Sequence, residues 1–74
     1  MADTHQVDLI HKGIDTWNGW RNLSDIKPDL SKIDLSNTQL EGANLSETNL
    51  SLAKLEGAKL SGAHLSRADL TQAD

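Results

Sequence analysis

The chain has 74 residues, no cysteine, one proline and a net charge of −4, which makes one small domain without disulfide staples or thiolate metal sites. The acidic balance argues against direct binding of DNA or RNA through phosphates, because that needs a basic face. Two tryptophans without tyrosine or phenylalanine give no platform for stacking bases.

Residues 1–27 read as an N-terminal capping helix and a connector. Asp3 or Thr4 can cap the helix, with Gln6 as the partner of a weak capping box. Val7, Ile10, Ile14 and Trp17 follow at spacings of three and four, with Leu9 beside them, so the spacing predicts one amphipathic helix over about residues 4–21. Gly13 and Gly19 weaken it by roughly 1 kcal/mol each. The helix therefore needs its apolar face packed on something. Trp17 and Trp20 invite a ligand-binding reading. The simpler reading is that both cover the end of the next element, as part of the set Val7, Ile10, Ile14, Trp17 and Trp20.

Residues 28–74 change regime. Leucine returns every fifth residue, at Leu30, Leu35, Leu40, Leu45, Leu50, Leu55, Leu60, Leu65 and Leu70. Two positions before each stands a mostly small residue, such as Ala43, Ala53, Ala58, Ala63 or Ala68. A five-residue period advances about 140° per repeat on a helix, so the leucines would wander around its axis. On one straight strand they would alternate faces. The period therefore implies a chain that bends once per repeat. The small residue and the leucine point inward, and the two residues after leucine make the turn. Gly42, Gly57 and Gly62 fall at the second turn position, where unusual backbone angles are tolerated. Stacked coils of such a chain form a solenoid.

The pattern A-(D/N)-L-x-x, as in Ala43-Asn44-Leu45-Ser46-Glu47 and Ala68-Asp69-Leu70-Thr71-Gln72, resembles the pentapeptide-repeat proteins. The segment GIDTWNGWRNLSDIKPDLS resembles the lead-in of bacterial, especially cyanobacterial, members. The resemblance implies a mainly β fold, a right-handed quadrilateral β-helix with four repeats per coil, here a little over two coils. Residues twenty apart would then stack. Asp34, Lys54 and Asp74 would form one outward column, and Glu47 would sit over Arg67. Ile33, Thr38 and Thr48 replace the inward alanine, which predicts a wider first coil or one that touches the helix.

Nothing in the chain reads as a catalytic, cofactor or metal site, and an enzyme is not expected. His5 and His11 stand six apart, and His64 is alone. The serines are turn residues, and the carboxylates fall on solvated faces. Asn22-Leu23-Ser24, Asn44-Leu45-Ser46 and Asn49-Leu50-Ser51 match a glycosylation acceptor, but the last two follow from the N-L-S repeat itself. No apolar run is long enough for a membrane span. The start, MADTHQVDLIHKG, lacks the basic and apolar regions of a secretory signal, so the expected compartment is the cytoplasm.

The expected function is a non-catalytic interaction or scaffold module. The chain stops inside a repeat at Ala73-Asp74, which leaves a coil edge inviting another chain. Leu55, Leu60, Leu65, Leu70, Ala58, Ala63 and Ala68 are the candidate self-association residues of a homo-oligomer. Leu52 breaks the polar rule of the turn and is the candidate contact for another protein. One alternative is a DNA-mimic inhibitor of an enzyme such as a topoisomerase, a role the resemblance allows. The repeat carries seven acidic and four basic residues, a weak charge for that role. The other alternative is a fragment of a longer multidomain repeat protein.

Overall fold

The computed structural model describes residues 3–73. The helical stripe at the start forms two helices instead of one. Helix α1 spans Thr4–Lys12 and α2 spans Ile14–Leu23. The break is Gly13, at φ 126° and ψ 163°, a backbone region open essentially to glycine alone. Periodicity runs across Gly13 because the apolar residues on both sides face the same core. The backbone nevertheless turns there, and the Gly13 carbonyl accepts the Trp17 N–H at 3.0 Å to start α2. Asp3 is the cap of α1, its carboxylate accepting the Gln6 N–H at 3.2 Å. Gln6 does not close a capping box. Its side chain instead reaches the repeat region.

Each repeat bends at one kind of turn. The second residue after leucine has positive φ in all nine repeats: Lys32, Asn37, Gly42, Glu47, Leu52, Gly57, Gly62, Arg67 and Gln72. The N–H of the following residue returns to the leucine carbonyl, from Thr38 to Leu35 at 3.2 Å through to Ala73 to Leu70 at 2.9 Å. Positive φ at the third position of such a turn is the type II arrangement. Glycine occupies only three of the nine sites, so six side chains accept the left-handed conformation.

Between turns, the residue before each leucine makes a parallel bridge twenty residues on: Asp29 with Asn49, Asp34 with Lys54, Gln39 with Lys59, Asn44 with His64, and Asn49 with Asp69. The chain thus closes a coil every four repeats. Each bridge is a pair of bonds, for example Asn49 N–H to the Pro28 carbonyl at 2.9 Å and Leu30 N–H to the Asn49 carbonyl at 2.8 Å, and one further bond supports that side of the coil, from the Lys32 N–H to the Ser51 carbonyl at 2.9 Å. The bridges are isolated, because a turn follows every leucine. Among the described residues the only continuous elements are the two helices, and no extended strand forms. The mainly β class expected from the sequence is thus not seen as strands: the described residues hold two helices and isolated parallel bridges.

The core runs from the helices into the coil. Leu30, Leu35, Leu40, Leu45 and Leu50 are completely buried, with Trp17 and Ile10 among them. Full burial of such side chains is worth about 1.5–3 kcal/mol each.

Candidate interaction surfaces

The first coil has an edge facing the helices, and polar side chains cover two of its four sides. At the first repeat, Gln6 Oε1 accepts the Asp29 N–H at 2.7 Å, and the Asp3 N–H donates to the Asp29 carbonyl at 3.0 Å. At the fourth repeat, Asn18 Oδ1 accepts the Asn44 N–H at 2.8 Å, and Trp17 Nε1 donates to the Asn44 carbonyl at 2.8 Å. Arg21 Nη2 donates to the Ser46 carbonyl at 2.7 Å, and Asn18 Nδ2 to the Gly42 carbonyl at 3.0 Å. Buried edge groups need such partners. These side chains reproduce what a preceding coil would offer. Burial pushes the Arg21 guanidinium below its ordinary pKa, while the Glu47 carboxylate pulls it back up.

Of the helix residues singled out in the sequence, Ile10 and Trp17 are buried, and Val7, Ile14 and Trp20 are partly buried against the same core. The Trp17 and Trp20 rings lie 5.3 Å apart, and His5 meets Trp20 edge-on at 6.5 Å. Spacing alone does not mark Gln6, Asn18 and Arg21. A carboxamide on a helix face carries no periodic signal, and its partner lies 23 or more residues away.

Toward the other end of the coil the described residues are less covered. Leu55, Leu60 and Leu65 are half-buried, Leu70 is 41% exposed, and Ala58, Ala63 and Ala68 are partly exposed with them. These seven residues share the last coil. Leu52 stands apart at a turn corner, 45% exposed, with φ 61°. Of the outward column Asp34, Lys54 and Asp74, the last lies outside the described residues. Glu47 meets Lys27 at 3.8 Å in place of the column partner Arg67.

The D/N-L-S/T motif has a local cause. The Asp or Asn before leucine accepts both the N–H and the hydroxyl of the residue after it, as in Asn44 with Ser46 (3.2 and 2.7 Å) and Asn49 with Ser51 (3.0 and 2.7 Å). Asp29, Asp34 and Asp69 do the same with Ser31, Ser36 and Thr71. Donation from those hydroxyls is the main reason all three carboxyls lie below their ordinary pKa. A family model described as pentapeptide repeats (8 copies) matches residues 48–74. That part of the chain is similar to the pentapeptide-repeat family. No curated protein and no solved structure matches the chain. Across the repeats the motif residues serve the turn: leucine fills the interior, the acid or amide pins the bend, and the positive-φ residue completes it. Among the described residues no three His, Asp or Glu side chains gather as metal ligands, and no helix is long and apolar enough to cross a membrane.

Proposed function

We propose that the chain is a non-catalytic protein-interaction module that associates with itself through its last coil. The observation behind this reading is the gradient of burial. Leu30 to Leu50 are fully buried, whereas Leu55 to Leu70 are only partly covered. The last coil also carries backbone N–H groups of Leu60, Leu65 and Leu70 that no described residue accepts. An apolar interior and an unpaired edge on one surface favour pairing with another chain. In this reading the stacked coils are the family's right-handed quadrilateral β-helix, and the helices cap its other end. The DNA-mimic alternative gains little from the shape, since the extents of 29 × 23 × 22 Å are nearly equal.

Light scattering behind size exclusion, over a dilution series, tests the proposal. The wild-type chain is expected as a dimer or larger assembly. Leu60→Lys places a charge in the interior of the last coil and is expected to leave a monomer with retained circular dichroism. A folded wild-type monomer at every concentration would refute self-association and make Leu52 the next surface to probe.

A further inference from the structure

The cap leaves part of the first coil's edge bare, and at the third repeat the bare edge borders a groove. Three backbone groups per repeat define the edge: the N–H and carbonyl of the residue before leucine, and the carbonyl of the residue after it. Inside the stack a preceding coil fills all three. For Asn49 and Ser51 the partners are the Pro28 carbonyl and the N–H groups of Leu30 and Lys32, at 2.8–2.9 Å. At the fourth repeat the helices fill all three, through Asn18, Trp17 and Arg21. At the third repeat the corresponding groups are the Gln39 N–H, the Gln39 carbonyl and the Glu41 carbonyl. No described residue bonds to any of them. An open groove of about 660 Å³ lies over this side, between Ile10, Gly13 and Ile14 of the helices and Thr38, Gln39 and Glu41 of the repeat.

We infer that this groove binds an extended peptide segment, parallel to the third repeat, by adding its backbone to the Gln39–Glu41 edge. The hydrogen-bond pattern selects the occupant. The edge offers one donor and two acceptors, so the ligand must bring one carbonyl and two N–H groups. For the coil below, residues 28–32, whose backbone turns only at Lys32, supply that set at the same positions. The ligand carbonyl takes the Gln39 N–H. The N–H two residues later meets the Gln39 carbonyl, and the N–H two residues beyond that meets the Glu41 carbonyl. The side chains of the ligand's first and third residues point inward, as those of Pro28 and Leu30 do, on the side of the groove lined by Ile10 and Ile14. Small or apolar residues fit there, and proline is excluded at both donor positions. This is strand addition to an exposed edge, with backbone bonds giving affinity and alternate side chains giving selectivity. The turn after Leu40 limits the paired stretch to about five residues. The groove lies at the helix-bearing end, opposite the last coil, so the inference stands apart from self-association.

The probe is acetyl-Ala-Asn-Ala-Ser-Gly-amide, titrated into the full ¹⁵N-labelled chain up to the peptide's solubility limit. The Gln39 amide resonance is expected to move downfield and its hydrogen exchange to slow several-fold. Neither change is expected with the same peptide N-methylated at its third and fifth residues. Gln39→Pro removes the edge donor while leaving the Thr38 carbonyl free to accept from Lys59. It is expected to abolish the shifts at Glu41 and Gly42, with circular dichroism retained. No response at Gln39, or an equal response to the methylated peptide, would overturn the inference.

Discussion

At the scale of single residues, the five-residue motif is a turn made self-sufficient. Asp29, Asp34 and Asp69 each hold the hydroxyl and N–H of the residue two positions on. Asn44 and Asn49 do so without a charge. Because the folded chain lowers the three carboxyl pKa values, their contribution is complete above the unfolded value of about 3.9. It is lost as pH falls through the lowered folded values. The triple variant Asp29→Asn, Asp34→Asn, Asp69→Asn keeps the acceptor and removes the titration. Urea denaturation at several pH values below 4 is expected to show a shallower loss of stability than in the wild type, with little difference at neutral pH. An unchanged acid slope would place the titrating groups elsewhere.

At the scale of elements, two glycines on the helices have opposite roles. Gly13 carries φ 126° and ψ 163° at the junction of α1 and α2. A side chain there has open space around it and still suffers the backbone angle. Gly13→Ala is expected to cost about 1–3 kcal/mol. Gly19 lies within α2, and a methyl group added there would meet nothing within 4 Å. Gly19→Ala is expected to raise stability by up to about 1 kcal/mol. Chemical denaturation of both variants checks the pair, and a same-sign result would mean that α2 is not limited by its helix propensity. In the repeats, Gly57 marks a different constraint. At φ 74°, its Cβ position would fall against the Asn37 side-chain oxygen of the coil above, so stacking as well as the turn favours glycine there.

At the scale of the molecule, the two ends of the coil differ. One end is roofed by Trp17, Ile10 and a polar set that imitates a coil, and the leucines beneath it are completely buried. The other ends in leucines that are only partly covered. Local stability should follow this gradient, because amide exchange tracks burial and hydrogen bonding. The N–H groups of Leu35, Leu40 and Leu45, bonded to the next coil, are expected to exchange slowly. Those of Leu60, Leu65 and Leu70 are expected to exchange fast in dilute Leu60→Lys monomer, where residue 60 is read as lysine. Protection of Leu65 and Leu70 that appears only on concentrating the wild type would place the contact at the last coil. Uniform protection in the monomer would contradict the gradient.

The sequence by itself determined the repeat, the inward leucines and the bend. A strict five-residue period can be satisfied only by a chain that turns once per unit. It also carried the family resemblance and the apolar faces of the helices. It could not show that Gly13 divides the helix, because apolar spacing is indifferent to one residue's backbone angle. It could not show that Lys32, Glu47, Leu52, Arg67 and Gln72 adopt the glycine-like turn either, since these residue types do not favour that conformation. Only the tertiary structure decided which edge groups are capped. Gln6, Asn18, Trp17 and Arg21 find their partners across the fold, and those contacts leave the third repeat bare beside its groove. Hydrogen bonds between residues distant in sequence leave no periodic trace in it, and that is why the candidate surfaces became legible only once the chain was folded.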